Sequence, residues 1–191
     1  MMNTALAYDY DDYDYYELIN GEVYMMARPT VNHWQISHNI IDKFDNYLKG
    51  KRCRAFGEID VYLSDDDNFI PDAMIVCNPD IVEEDGIHGV PDLVVEVLSP
   101  STAKFDKIDK FLKYEKYGVK EYWIVDPKNK SVDVYLLKEG KFELAGTYQS
   151  LSDKEMSRWT DRQKAGIMTE IKVSLYDDFV VNVKDIFERV K

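Results

Sequence analysis

The sequence predicts an α/β (α+β) fold in which a mixed central β-sheet is flanked by helices. Residues 93–98 (LVVEVL) form a near-continuous apolar run, which is typical of a central strand covered on both faces. Hairpin signals occur at Asn20-Gly21 and at Glu139-Gly140. Two helical segments are placed among the strands, and this order of elements favours a mixed sheet with helices on its faces.

Composition predicts one globular domain, residues 16–191, preceded by an acidic, tyrosine-rich lead-in at residues 1–15. The 191 residues are 45% hydrophobic, which is enough for one well-filled core. No apolar run approaches the roughly 20 residues of a membrane helix, and the acidic N-terminus lacks a signal-peptide pattern. We therefore expect a cytoplasmic protein.

The formal charge of −12 excludes a protein that coats nucleic acid by bulk electrostatics. Cys53 and Cys77 have no CxxC companion, so a zinc site and a disulfide framework are both disfavoured. We expect two reduced, semi-buried thiols.

The elements of the first half follow from turn and helix signals. Residues 16–26 form a strand pair around Asn20-Gly21. Pro29 and Thr30 open an amphipathic helix of about five turns that Gly50 ends, because apolar residues recur at three-to-four spacing between them. Extended segments at 54–63 and 69–77 follow.

In the second half, the strand at 93–98 stops at Ser99-Pro100. Ser101 or Thr102 can cap a helix over residues 103–117, which Gly118 closes. Residues 122–127 are another apolar strand, and residues 132–148 form a hairpin. A polar stretch at 150–166, a final strand and a short helix at 183–190 complete the chain.

Glu96 lies inside the apolar strand, where a lone ionised side chain costs roughly several kcal/mol unless it is paired. Asp72 begins the apolar run of a neighbouring extended segment. If these strands pair, the two carboxylates are brought close together, and a divalent cation between them would allow both to stay ionised. Mg²⁺ or Mn²⁺ suits such oxygen ligands. The alternatives are that Asp72 is a turn residue and that Glu96 pairs with a Lys or Arg.

Lys110 is the third candidate. Asp106, Lys110 and Tyr114 are spaced i, i+4, i+8 and fall on one helix face, with apolar residues on its flanks. A lysine aimed at a metal site can hold a water molecule or stabilise developing phosphate charge. The other lysines of this helix fit an ordinary solvated face.

Several segments together closely resemble the Uma-two family of restriction-endonuclease-like proteins, within the PD-(D/E)XK nuclease superfamily. The segments are YELINGEV (16–23), PDAMIV (71–76), PDLVVEVLSPST (91–102), the spaced Asp106 and Lys110, and GVKEYWIVDP (118–127). The resemblance spans about residue 15 to the end of the chain.

This resemblance implies a restriction-endonuclease-like core and Mg²⁺-dependent phosphodiester cleavage. Asp72 and Glu96 match the two acids, and the Val97 carbonyl is a further metal ligand. The superfamily lysine would stand at Leu98, and the resemblance implies that Lys110 replaces it. The accessory positions that resemble those of the family are Glu22, His33, Asp106 and Tyr114.

The function predicted from the sequence is a metal-dependent endonuclease that hydrolyses DNA with Mg²⁺ or Mn²⁺. Its acidic surface would require a narrow basic cleft, a partner, or a homodimer that concentrates Lys104, Lys107 and Lys113. Two alternatives remain open, a non-catalytic binding or regulatory module and a metal phosphohydrolase acting on nucleotides.

Overall fold

A computed structural model describes residues 16–99, 108–151, 156–164 and 166–191. The helices are α1 (Val31–Leu48), α2 (Lys110–Tyr117), α3 (Asp161–Lys164) and α4 (Val183–Ile186). The strands are β1 (Tyr16–Ile19), β2 (Glu22–Met25), β3 (Arg54–Phe56), β4 (Val61–Ser64), β5 (Asp67–Phe69), β6 (Ala73–Val76), β7 (Leu93–Val97), β8 (Glu121–Asp126), β9 (Ser131–Lys138), β10 (Lys141–Gln149), β11 (Glu170–Lys172) and β12 (Val180–Asn182). The predicted lead-in at 1–15 lies outside the described residues.

The central sheet has six strands in the order β10-β9-β8-β7-β6-β3. Strands β7 and β8 are parallel, and the other neighbours are antiparallel. The prediction of a mixed sheet flanked by helices is therefore confirmed. A four-stranded sheet, β2-β1-β5-β4, and the β11-β12 pair are additional.

Strand β7 is apolar along its length because both faces of the central sheet are covered. Val95 and Val97 join the hydrophobic cluster that contains α1, whereas Val94 joins a second cluster that contains Tyr114 of α2. Each cluster is buried, so neither face of the strand meets water. Glu96 is consequently enclosed as well, at 3% exposure.

Two predicted segments are each divided between sheets. Residues 54–63 supply β3 to the central sheet and β4 to the four-stranded sheet, with Glu58 at a positive φ of 53° between them. Residues 69–77 supply the end of β5 and then β6, and Pro71, which has no N–H to donate, lies between the two strands. The hairpins at Asn20-Gly21 and Glu139-Gly140 are confirmed.

Gly57 lies where α1 packs against the start of β6. A Cβ atom at this position would lie 2.3 Å from Cδ1 of Ile41 and 2.7 Å from the carbonyl oxygen of Asp72. Glu58 N–H also donates to the Pro71 carbonyl at 3.0 Å. The lack of a side chain at Gly57 therefore lets α1 pack directly over the start of β6.

Helix α2 is described from Lys110, so the predicted cap and the first turns at 103–107 lie outside the described residues. Its end agrees with the prediction, because Gly118 adopts φ 89° and its N–H donates to the Tyr114 and Glu115 carbonyls. Within the described residues, no helix is long and apolar enough to cross a membrane.

The prediction of reduced cysteines is wrong, because Cys53 and Cys77 form a disulfide. Strands β3 and β6 pair with Arg54 opposite Val76, so the next residue on each strand brings Cys53 opposite Cys77. This pairing of two strands distant in sequence cannot be read from cysteine spacing alone. The disulfide fastens the edge strand β3 to β6.

Asp67 joins β5 to α2 through a buried network. Its carboxylate accepts hydrogen bonds from Asn20 N–H at 2.9 Å, from Lys113 Nζ at 2.7 Å and from the Tyr117 hydroxyl at 2.6 Å. Burial alone would raise the pKa of Asp67, but these hydrogen bonds outweigh it and the pKa is lowered from 3.8. Lys113, expected on a solvated face, is therefore engaged with Asp67.

Replacing both cysteines, Cys53→Ser with Cys77→Ser, should lower the free energy of unfolding. The disulfide closes a loop across a sequence separation of 24, and the entropy of such a loop corresponds to about 3 kcal/mol. Urea unfolding with and without dithiothreitol measures the difference, and the double variant should not respond to the reductant. Two free thiols per chain in unreduced, denatured protein would contradict the disulfide.

Asp67→Asn should destabilise the protein at neutral pH and remove part of its acid sensitivity. Because the folded pKa of Asp67 is below 3.8, its stabilisation is full above that value and is lost as pH falls through the folded pKa. Urea unfolding from pH 7 down to about pH 3 should show the two proteins converging in stability at the acid end. A constant difference over this range would argue against the lowered pKa.

Candidate active site

The antiparallel pairing of β6 with β7 brings the two predicted acids together. Ala73 pairs with Val95, so the next position along places Asp72 opposite Glu96. Oδ2 of Asp72 accepts a hydrogen bond from Val97 N–H at 2.6 Å, which orients the carboxylate across the strands. Both acids line one cleft of about 470 Å³, which opens where β6 begins and β7 ends.

Glu96 has two hydrogen-bond donors on α2. Lys110 Nζ lies 3.2 Å from Glu96 Oε1, and the Tyr114 hydroxyl donates to the same oxygen at 2.8 Å. Lys110 is only 2% exposed, and it begins α2, one helical turn before Tyr114. The predicted spacing of Lys110 and Tyr114 therefore does place both on Glu96.

Glu17, which was not among the residues predicted from the sequence, is a second carboxylate on Lys110. Its Oε1 lies 2.8 Å from Lys110 Nζ and also accepts a hydrogen bond from Ile70 N–H at 2.9 Å. In β1 the buried residues alternate, Glu17 and then Ile19. This alternation is the sequence signal that could have identified Glu17, because it places the acid on the same strand face as the buried Ile19.

His33 projects from the first turn of α1 into the cleft. Thr30 caps this helix, accepting from His33 N–H at 3.2 Å. Nε2 of His33 lies 2.9 Å from the Val97 carbonyl oxygen and 3.5 Å from Oδ1 of Asp72. Since a carbonyl only accepts, the shorter contact requires the tautomer with hydrogen on Nε2.

One accessory prediction, Glu22, is not brought to the cleft, and another, Asp106, stays a prediction. Glu22 is exposed on β2, where its carboxylate accepts from the Tyr24 hydroxyl at 3.1 Å, and it does not line the cleft. Asp106 lies outside the described residues. Leu98 lines the cleft at the position where the superfamily pattern has its lysine.

The charges in the interior of the cleft are unbalanced. Glu17 and Glu96 contact the buried ammonium of Lys110, and Asp72 lies opposite Glu96, so these four groups, counted as ionised, carry two net negative charges. Burial, followed by the nearby charge of Glu96, raises the pKa of Tyr114 well above 10.0, so its hydroxyl stays a donor. A divalent cation would balance the remaining charge.

The ligands at the cleft suit a hard cation. The atoms that resemble superfamily ligands are carboxylate oxygens of Asp72 and Glu96 and the Val97 carbonyl oxygen, which are the oxygen donors that Mg²⁺ and Mn²⁺ prefer. A separate group, Glu83, Asp85 and His88, has ligand atoms within 4.8 Å of one another, but it is exposed and lies outside the cleft.

Two proteins of Synechocystis sp. are similar in sequence. Uncharacterized protein slr1290 is 30% identical over 123 residues, which are 63% of this chain and 65% of that protein. Uncharacterized protein sll1609 is 27% identical over 115 residues, which are 58% of this chain and 65% of that protein. The matches thus span just under two thirds of each relative.

A crystal structure of a "putative nuclease belonging to DUF820" from Anabaena variabilis has the same fold. It superposes with a TM-score of 0.67 at 22% identity, covering 90% of this chain and 89% of that one. The model of the Uma2 family, described as "Putative restriction endonuclease", matches residues 6–160. Because this match covers more than half of the sequence, the chain belongs to the Uma2 family.

Proposed function

We propose that this protein is a metal-dependent endonuclease that hydrolyses phosphodiester bonds of DNA. The observation that carries the proposal is the buried ammonium of Lys110, held between Glu17 and Glu96 beside Asp72 in one cleft. Burying a lysine with two carboxylates costs more folding free energy than packing apolar residues in the same space. Such an arrangement is typical of a site tuned for chemistry.

Asp72, Glu96 and the Val97 carbonyl would hold Mg²⁺ or Mn²⁺. When bound, the cation polarises a phosphoryl oxygen and lowers the pKa of a water molecule. The chain itself orients the ligands, because Val97 N–H fixes one oxygen of Asp72 and Tyr114 fixes one oxygen of Glu96. Second contacts of this kind hold ligands in place before substrate arrives.

Lys110 would orient the attacking water and offset negative charge that develops on the phosphate. Burial keeps its ammonium from being solvated, and the contacts to Glu17 and Glu96 fix its direction. An ammonium group that is already oriented in a water-poor site stabilises developing negative charge far more strongly than the same group in bulk solvent. His33 helps to position Val97 and Asp72 from the opposite side.

A metal phosphohydrolase acting on nucleotides is the second candidate. The cleft volume of about 470 Å³ falls within the range of small-ligand sites, which favours it. Turnover of nucleotides in the absence of DNA cleavage would select this reading. A non-catalytic module, homodimerisation and cytoplasmic location stay predictions from the sequence.

Supercoiled plasmid should be nicked in Mg²⁺ or Mn²⁺. Lys110→Ala and Glu96→Gln should each reduce the rate by about 100-fold or more, because the first removes the charge that acts on the phosphate and the second weakens a ligand of the cation. Gel electrophoresis of nicked and linear products measures this. Lys116→Ala is the matched control, because Lys116 is exposed on the same helix. Cleavage that survives both changes in the cleft would refute the assigned site.

Glu17→Gln should lower kcat with little change in KM, because it loosens the direction of Lys110 without removing the groups that bind substrate. Glu22→Gln, on the other strand of the same hairpin, should leave both constants unchanged. Initial rates over a pH series, with circular dichroism to check folding, make the comparison. Equal effects from the two variants would argue against a positioning role for Glu17.

A further inference from the structure

Three basic residues from separate parts of the chain line the mouth of the cleft. They are Arg28, in the connection between β2 and α1, Lys128, just after β8, and Lys191. All three are exposed. Among the described residues, no carboxylate pairs with any of them, whereas Lys113, Lys120 and Lys141 each form an ion pair.

The backbone holds two of these residues in fixed places. Asp126 accepts hydrogen bonds from Lys128 N–H at 2.9 Å and Asn129 N–H at 3.1 Å, which forms a tight turn. Asn32 of α1 bonds Lys191 in both directions, donating to its carbonyl at 2.7 Å and accepting from its N–H at 3.3 Å. Pro29 restricts the conformation of Arg28.

The charge balance makes this mouth unusual. The whole chain carries −12, yet among the described residues that line the cleft the charged side chains besides Asp72, Glu96, Lys110 and His33 are all basic. With the acids of the interior balanced by a divalent cation, three basic side chains would remain around the opening. A cleft lined by basic side chains concentrates a positive electrostatic potential on an approaching anion.

We propose that Arg28, Lys128 and Lys191 bind the DNA phosphates that flank the scissile phosphodiester. This rests on the proposed function and identifies the surface that an acidic protein uses to hold a polyanion. Of the lysines that the sequence suggested for this task, Lys113 is bound to Asp67, and Lys104 and Lys107 lie outside the described residues.

The test measures binding apart from cleavage. Fluorescence anisotropy of a short fluorescein-labelled DNA duplex is recorded with Ca²⁺ in place of Mg²⁺, over a series of salt concentrations. The triple variant Arg28→Ala, Lys128→Ala, Lys191→Ala should bind at least about tenfold more weakly, and the slope of log affinity against log salt should fall by about 3.

The chain offers a matched control in its densest basic segment. Lys49, Lys51 and Arg52 are exposed at the opposite end of α1, and Lys49 lies about 24 Å from His33 along the helix. The variant Lys49→Ala, Lys51→Ala, Arg52→Ala removes the same charge and should keep the wild-type affinity and salt slope.

The outcomes separate this proposal from the catalytic one. Loss of affinity in the control variant with normal binding by the cleft variant would overturn the assignment, as would equal binding by all three proteins or no binding by the wild type. If plasmid nicking depends on Lys110 but binding ignores the three mouth residues, only the phosphate-binding proposal fails. If binding depends on them but no cleavage occurs, only the catalytic proposal fails.

Discussion

The buried ammonium of Lys110 connects three parts of the fold that would otherwise be independent. It contacts Glu17 on the four-stranded sheet and Glu96 on the central sheet, and it belongs to α2 itself. Any relative shift of these elements leaves a charge buried without its counter-charge, which costs several kcal/mol. The position of the helix, the packing of the two sheets and the direction of the lysine are therefore set by the same contact.

Contacts on the side of the cleft opposite Lys110 also fix its shape. The helix α1 delivers His33 to Val97 and Asp72, while β6 and β7 deliver the two acids. Each wall thus contributes polar groups that are already bonded to one another, so little reorganisation is needed when an anion or a cation enters.

Sequence reasoning identified the strands, the acids and the helix that carries Lys110, because each has a local signal. Glu96 interrupts an apolar run, Asp72 begins one, and Lys110 and Tyr114 share a helix face. Glu17 and the Cys53–Cys77 disulfide were missed because both depend on which strands become neighbours. The division of residues 54–63 between two sheets was missed for the same reason, because strand order cannot be read from a single sequence.

The absence of a side chain at Gly57 limits which residues can occupy the contact between α1 and the sheet. Ile41 and the Asp72 carbonyl fill the space that a side chain at position 57 would need. The residue at this position therefore sets the distance between α1 and the sheet. A chimaera that took α1 from a relative without the segment that contains Gly57 would combine residues that set different distances between helix and sheet. The helix that carries His33 would then tilt. A side chain at position 57 would therefore require changes both at position 41 and in the backbone at Asp72, although neither position 57 nor position 41 lines the cleft.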